Sequence, residues 1–421
     1  MGTTTMKTTR LPALLGCACA ALIVAGAGRI CEARGLGIKA GEGRLHPAID
    51  LDLVYDTNPG YFADDPISDL VLRIRPGLTL TFPSEMVSFE LNGRVGYDYY
   101  FGVDQSRTSD LSTFAGEADM QVGFNPEGQV SFFIEDNFSR TGDPRYTSLS
   151  GRFDRTDNEA KARLQIKPGG GALMFDLAYG FFIDWFDEQG GTESEALSSY
   201  GHRAYFSGKW KFLPKTAVSV DFDADIRRYP NSYSTGDKNM DVNAIRATVG
   251  LLGQISPSIA ISIKAGYGDS LLPDRADYPG DNYRSVVGQA EMTFRGTTTF
   301  LQVGYTRNFQ PVVLFAWFGQ DRAYARLRQQ IAGKFTISLD ISYDYLSYGS
   351  GVSQDTRDQG DRSDHLLSGG VEFDYHILDW LEIGLAYGIQ ARFSDWQQPL
   401  AGSGGVEYNK HMFTFHIGVD Y

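Results

Sequence analysis

The amino-acid sequence predicts an all-β fold, a transmembrane antiparallel up-and-down β-barrel of about 18 strands. Three observations carry this prediction. Apolar and polar residues alternate in one segment after another, which is typical of strands with one apolar and one polar face. The connections between these segments alternate between short turns and long loops. The 48 glycines, 27 phenylalanines and 23 tyrosines suit a chain of strands and turns.

The first 33 residues are predicted to be a cleaved signal peptide. Lys7 and Arg10 precede an apolar run over residues 11–28, and a charged region followed by an apolar one is typical of export signals. Pro12 and Gly16 interrupt this run, which is short for a membrane-spanning helix. We therefore expect residues 1–33 to direct export and then to be removed.

Composition excludes several classes of function. Cys17, Cys19 and Cys31 all lie in the predicted signal peptide, so cleavage after Ala33 leaves no disulfide and no cysteine metal site. The same cleavage removes three basic residues and one acidic residue, which changes the net charge from −14 to −16. A chain this acidic is not expected to bind nucleic acid.

After the signal peptide we predict a periplasmic N-terminal segment over residues 34–45 and a barrel over residues 46–421. An even number of strands allows the last strand to pair with the first and close the sheet. The alternating segments are residues 49–55, 70–82, 87–99, 114–124, 130–138, 158–166, 173–185, 200–212, 217–229, 245–255, 259–267, 283–294, 299–309, 322–331, 335–345, 367–375, 381–393 and 408–421.

The connections fall into two kinds. Short turns rich in Gly and Pro occur at residues 83–84, 125–128, 167–171, 213–215, 256–258, 295–296, 332–334 and 377–379. Longer polar loops lie between them, for example at residues 56–69, 187–197, 230–240, 269–281, 347–363 and 394–407. Short periplasmic turns and long extracellular loops are typical of outer-membrane barrels, so both chain ends are expected on the periplasmic side.

Two packed soluble sheets would also show alternation, and strand length favours the barrel over this alternative. Many of the segments run to 10–14 residues, longer than most soluble strands and close to the length of a tilted membrane crossing with its rims. In hydrocarbon every backbone polar group must be paired, so a sheet survives there only by closing on itself. Aromatic residues near the short turns fit an interfacial girdle. They are Phe82, Phe124, Phe212, Phe294, Tyr375 and Trp380.

The last strand has a more specific resemblance. Phe413, Phe415, Ile417, Val419 and Tyr421 occupy alternate positions up to the final residue. This pattern resembles the C-terminal assembly signal of bacterial outer-membrane β-barrels. The resemblance implies that a barrel-assembly machinery recognises these residues, and that outer-membrane lipid and lipopolysaccharide surround the folded chain.

The candidate site residues occupy the inward-facing positions of the strands and are predicted to line the lumen. They are Asp50, Asp52, Arg73, Arg75, Arg94, Asp221, Asp223, Asp225, Arg227, Arg322, Tyr324, Arg326 and Arg328. In one interpretation the acidic residues 221–225 and the basic residues 322–328 line opposite walls and create a field that orients a polar solute. In the other, each charge pairs with a neighbouring strand. The apolar segment 309–318 is predicted to fold into the mouth, to contact another protein, or to extend the flanking strands.

The sequence shows no sign of an enzyme. None of the six histidines forms a His-x-x-x-His pair with an acidic partner, and neither a Gly-x-Ser-x-Gly elbow nor a phosphate loop is present. The acidic residues 221–225 lack the spacing and glycine of a calcium loop. We therefore predict no catalytic residue, no metal site and no cofactor.

Residues 55–61, Tyr-Asp-Thr-Asn-Pro-Gly-Tyr, close the first predicted strand. They resemble the Tyr-Asp-x-Asn element of a family of β-barrel porins associated with exopolysaccharide export, although Pro59 and Gly60 stand where an apolar residue commonly follows the Asn. The resemblance implies a channel for a polysaccharide chain that acts with a polysaccharide export protein. The alternatives are a general small-solute porin, a plugged structural or adhesive barrel, and an outer-membrane hydrolase.

Overall fold

The computed structural model describes residues 35–102, 108, 111–142, 152–187, 194–232, 236, 238–272, 282–351, 361–396 and 405–421. The predicted signal peptide, residues 1–33, lies outside the described residues, so its cleavage stays a prediction. None of the helices in the part of the chain that is described is long and apolar enough to cross a membrane.

Most of the described residues lie in 19 strands, and two short 3-10 helices occupy Pro168–Gly171 and Ser194–Leu197. The strands are β1 (Ile38–Ala40), β2 (Gly43–Asp56), β3 (Asp69–Phe82), β4 (Val87–Tyr100), β5 (Thr113–Phe124), β6 (Val130–Thr141), β7 (Arg155–Ile166), β8 (Leu173–Phe186), β9 (Ser199–Leu213), β10 (Thr216–Arg228), β11 (Val242–Ser256), β12 (Ile259–Asp269), β13 (Arg284–Arg295), β14 (Thr299–Val312), β15 (Phe315–Ile331), β16 (Phe335–Tyr348), β17 (Ser363–Leu378), β18 (Leu381–Phe393) and β19 (Tyr408–Asp420).

The strands form one closed antiparallel barrel. Each of β2 to β18 pairs with the strand that follows it, and β19 pairs with β2. The predicted fold class is therefore confirmed, and the 18 alternating segments correspond to β2–β19. The short strand β1 is additional and pairs only with the start of β2, for example Ile38 with Leu45. Strand β2 begins at Gly43 rather than Ile49, because residues 44–48 continue the pairing with β3.

The outer face of the barrel is an apolar belt. Large hydrophobic side chains on this face are exposed all around the ring, among them Val95 on β4, Phe114 on β5, Val249 on β11 and Leu385 on β18. Hydrocarbon is the medium in which such a surface is stable, and closure removes the sheet edges that hydrocarbon would leave unpaired. The protein is an outer-membrane β-barrel.

Strands β19 and β2 close the barrel along a seam that runs from the Met412–Asp56 pair to the Asp420–Ala48 pair. Phe413 lies on the outer face, where its ring is 6.5 Å from that of Tyr55. Tyr421 follows the strand, and its backbone N–H donates to the carbonyl of Pro47 at 3.1 Å. Recognition of the last strand by an assembly machinery stays a prediction.

The Tyr-Asp-x-Asn element forms a buried clasp over the extracellular end of this seam. Asp56 and Asn58 have no exposed surface, and the Asn58 backbone N–H donates to Asp56 Oδ1 at 3.0 Å. Lys410 of β19 reaches over the seam and places Nζ 2.9 Å from Asp56 Oδ2 and 3.9 Å from the centre of the Tyr61 ring. We call Asp56, Asn58, Tyr61 and Lys410 the seam clasp. Its geometry gives the element a structural role.

Replacing Lys410 by Met should destabilise the barrel by about 3–5 kcal/mol, because it leaves the carboxylate of Asp56 buried without its cation. The double variant Lys410→Met with Asp56→Asn removes both charges and should recover part of this loss. Urea unfolding of the refolded barrel measures both effects. A single variant as stable as the wild type would contradict the role of the clasp.

Replacing Leu385 by Arg should destabilise the barrel by roughly 2–4 kcal/mol if the residue lies near the bilayer midplane, because the charge enters hydrocarbon. Leu385 is 61% exposed on the outer face. The control is Ser338→Arg on the inner face, where the carboxylate of the cross-strand neighbour Glu372 should pair with the new guanidinium. Equal losses for the two variants in unfolding from lipid vesicles would contradict the assignment of the faces.

Candidate functional site

The acidic ladder of β10 lies on the inner face and is neutralised by neighbouring strands. Each of its three carboxylates contacts a cation on β9, β11 or β12. The pairs are Asp221–Lys264 at 2.8 Å, Asp223–Arg246 at 2.6 Å and Asp225–Arg203 at 3.2 Å. Of the two interpretations of this ladder, these contacts favour the one in which each charge pairs with a neighbouring strand. The reason is that low-dielectric surroundings make an unpaired charge costly.

Arg227 continues the same network at the extracellular end of β10. Its Nη1 lies 3.2 Å from Asp184 Oδ2 and donates to Ser199 Oγ at 2.7 Å. Its guanidinium also lies 4.6 Å from the centre of the Phe182 ring. Several inward aromatics share this arrangement, since Arg163 covers Phe133 and Arg155 covers Phe186. These rings are part of the wall rather than a free stacking surface.

The predicted residues near the seam form a second network on β2, β3 and β4. Its contacts join strands that are neighbours or next neighbours in the ring. They are Arg94–Asp50 at 3.5 Å, Arg73–Asp98 at 3.5 Å, Arg75–Asp98 at 3.6 Å and His416 Nδ1–Asp52 at 2.5 Å. The structure thus brings five of the predicted lumen residues together in one part of the wall, where acidic and basic side chains alternate. They are Asp50, Asp52, Arg73, Arg75 and Arg94.

The basic ladder of β15 is compensated only in part. Arg322 lies 3.7 Å from Asp344, and Arg326 lies 3.0 Å from Asp340. The hydroxyl of Tyr324 donates to Glu291 at 2.5 Å. Arg328 is exposed and forms no ion pair with any of the described residues.

A sector of uncompensated acid lies across the ring from Arg328. Glu117 and Asp119 of β5 are exposed on the inner face and form no ion pair within the described ranges. Nine strands separate β5 from β15 on one side of the ring and seven on the other, so the two sectors are nearly opposite. The sequence predictions missed these acids. Glu117 and Asp119 occupy inward-facing positions between Phe114 and Phe124, where Arg94 is the nearest basic residue. This pattern in the sequence could have indicated the uncompensated acids.

Above the wall, an apolar cluster spans the extracellular mouth. This mouth cluster consists of residues from five connections or strand ends, namely Phe186, Ala196, Leu197, Tyr229, Val312, Val313, Leu314, Phe315, Phe318, Leu346, Tyr348, Trp396 and Val406. The β8–β9 connection lies nearly opposite the β18–β19 connection in the ring. Ten strands separate the two connections on one side and eight on the other. Because loops from nearly opposite sides of the ring meet in one cluster, the cluster lies over the lumen.

The hairpin between β14 and β15 is the centre of the mouth cluster. Its tip is buried, and Leu314 turns the chain with a φ of 65°. The backbone N–H of Leu314 donates to Asn239 Oδ1 at 2.8 Å, and Asn239 Nδ2 donates to the carbonyl of Ala196 at 2.8 Å. Of the three hypotheses for residues 309–318, the structure therefore combines two: the strands are extended, and their tip folds into the mouth.

A buried cation packs under the hairpin. The Arg362 guanidinium lies 5.4 Å from the Phe315 ring centre and 4.2 Å from those of Tyr348 and Trp396. Arg362 Nη2 bonds to Asp364 at 2.8 Å. Burial lowers the pKa of Arg362, and burial raises the pKa of Tyr229, also in the cluster, to about 12. Both shifts follow from the burial of these two groups among the side chains of the mouth cluster.

No group of three or more His, Cys, Asp or Glu side chains among the described residues is placed to hold a metal ion. His416, which the sequence places on the inner face, contacts three carboxylates: Asp52 at 2.5 Å, and Asp50 and Glu382 at 3.8 Å. This arrangement is a polar cluster of the wall.

No family model matches the chain, and no curated protein matches it. Solved structures with a similar fold include OccK3 (OpdO) of Pseudomonas aeruginosa, 10% identical, with 89% of this chain and 96% of that chain covered at a TM-score of 0.46. OpdK of the same organism, solved with vanillate, is 8% identical, covering 90% and 99% at 0.47. OccAB3 of Acinetobacter baumannii is 9% identical, covering 91% and 100% at 0.47. Likenesses this distant assign no function to the chain.

Replacing Arg326 by Ala should leave the barrel folded and shift its ion selectivity towards cations, because the 43% exposed guanidinium no longer offsets the wall carboxylates. The reversal potential in a salt gradient across a planar bilayer measures this shift. Arg284→Ala is the matched control, since Arg284 lies on the outer face at the rim. Loss of assembly in Arg326→Ala would contradict the placement of the residue on the inner wall.

Proposed function

We propose that the protein is an outer-membrane channel for small polar solutes, with an extracellular entrance narrowed by the mouth cluster. A barrel of 18 strands is wide enough to enclose an aqueous channel. The inner face is lined by charged and hydroxylated side chains, which a hydrated solute can pass. The mouth cluster is the single observation that selects small solutes, because it bridges loops from opposite sides of the ring.

Export of a polysaccharide is the weaker hypothesis for this geometry. It depends on the resemblance of residues 55–61 to a family associated with exopolysaccharide export. Of the matching residues, Asp56 and Asn58 are buried in the seam clasp and Tyr55 is exposed on the outer face, so none of them presents a surface to a polymer in the lumen. A polymer would also have to displace the apolar hairpin, which exposes its buried side chains to water.

The remaining charges suggest how the channel selects among solutes. Glu117 and Asp119 on one sector and Arg328 on the nearly opposite sector create a transverse field, and the other predicted ladder charges are paired. Asp119 lies five residues from the periplasmic end of β5 at Phe124, and Arg328 lies three residues from the periplasmic end of β15 at Ile331. The field therefore acts in the periplasmic half of the lumen and favours solutes that carry both charge signs.

Asn239→Ala tests the entrance. This variant removes the bonds to Leu314 and Ala196 and should increase single-channel conductance or opening frequency in a planar bilayer. Asn231→Ala is the matched control, because Asn231 bonds the carbonyl of Glu195 in the same short helix and has no bond to the hairpin. Equal conductance of the two variants would contradict the role of the hairpin.

A size series tests the substrate class. Liposomes containing the wild-type barrel should swell in amino acids and monosaccharides and resist swelling in long maltodextrins. Deletion of residues 312–315 should raise the size limit. Free passage of long dextrins through the wild type would support the polysaccharide hypothesis, and absence of any permeation in all variants would support a plugged barrel.

A further inference from the structure

Three of the six histidines occupy the same setting on the outer face of the barrel. In each, a tyrosine hydroxyl bonds to histidine Nδ1. The pairs are Tyr179–His202 at 2.7 Å, Tyr343–His365 at 2.6 Å and Tyr387–His411 at 2.8 Å. The rings lie face to face or nearly so, with centres 5.9, 6.0 and 6.1 Å apart. We call these the rim pairs.

The rim pairs repeat one backbone register. Each tyrosine lies on a strand that ascends to the long-loop side, and each histidine lies on the next strand, two residues above the cross-strand partner of the tyrosine. The partners of the three tyrosines are Ala204, Leu367 and Phe413. A fourth tyrosine, Tyr305, has the same register to Asp321. The repeat shows that the shared register of the strands, rather than one particular hairpin, sets this diagonal contact.

All three histidines lie at one level of the barrel. His202 is three residues from the start of β9 at Ser199, His365 is two from the start of β17, and His411 is three from the start of β19. Their parity is that of the apolar belt, and Tyr179 and Tyr343 are exposed on it. The rim pairs therefore face lipid where the acyl chains of the extracellular leaflet meet their headgroups.

The hydrogen bond of each pair engages Nδ1 and leaves the other ring nitrogen, Nε2, directed away from the tyrosine. When a tyrosine hydroxyl donates to Nδ1, the neutral ring carries its proton on Nε2. Within the described residues, no hydrogen bond or ion pair engages Nε2 of His202, His365 or His411. A polar N–H at a lipid interface is costly unless it is paired. The acceptor that this level of the membrane offers is a headgroup oxygen.

We propose that the rim pairs bind the phosphate groups of phosphorylated saccharide lipid in the outer leaflet. The tyrosine fixes the imidazole tautomer and orientation, its ring packs on the sugar or acyl boundary, and Nε2–H donates to a phosphate oxygen. The fourth position carries Asp321, which pairs with Arg307 at 3.3 Å, and an ionised carboxylate there has no proton to donate to a phosphate. This proposal is independent of channel activity.

Native mass spectrometry of the detergent-purified barrel tests the proposal with diphosphorylated lipid A as the probe. The triple variant H202L/H365L/H411L should bind lipid A about tenfold more weakly than the wild type, because each substitution removes a charge-assisted hydrogen bond. The variant Y179F/Y343F/Y387F keeps the imidazoles and should lose affinity in part. Heat-modifiable migration in gels checks that each barrel is folded, and unchanged conductance shows that the lumen is intact.

Tyr267→Phe is the matched control, since Tyr267 is exposed on the same face near the extracellular end of β12 and forms no pair with a histidine. It should bind lipid A as the wild type does. Dephosphorylated lipid A should bind the wild type and the triple variant equally. Equal binding of diphosphorylated lipid A by those two proteins would overturn the proposal. An equal tenfold loss for phosphatidylglycerol or for inorganic phosphate would overturn its assignment to outer-leaflet lipid.

Discussion

The need to pair every backbone N–H and C=O in hydrocarbon is the constraint on which this structure depends. It forces β19 onto β2, since an open sheet would expose two rows of unpaired groups to lipid. The seam joins the two ends of the barrel in sequence, and the seam clasp adds a buried ion pair between Lys410 and Asp56 across it. Closure then divides all side chains between a lipid face and a lumen face.

On the lumen face, charge is balanced strand by strand. A wall carboxylate is partly removed from water, and an arginine or lysine one or two strands away offsets the cost of its desolvation at a distance that the sheet itself fixes. Asp221, Asp223 and Asp225 are all neutralised in this way. Glu117 and Asp119 on one side and Arg328 on the other form no ion pair among the described residues, so they are among the charges that the proposed channel would present to a solute.

The two ends of the barrel differ in what the chain places there. The periplasmic end has short turns, whereas the extracellular loops supply an apolar cluster and a hairpin that spans the opening. On the outside of the same rim, aromatic and histidine side chains replace the aliphatic belt. In the proposed function, residues around Leu314 would control solute entry, whereas pairs such as Tyr179 and His202 face the lipid at the same height.

The sequence by itself determined the strand number, the closure and the two faces. Side chains alternate with a period of two, so the pattern within each strand shows which residues face lipid and which face the lumen, whatever its neighbours are. It also indicated the inward position of residues such as His416. The tertiary structure decided which charges are free, what the Tyr-Asp-x-Asn element does and where the hairpin at Leu314 lies. Those properties depend on register and on loops that meet across the ring, so they join residues such as Ala196 and Leu314 that no local pattern relates.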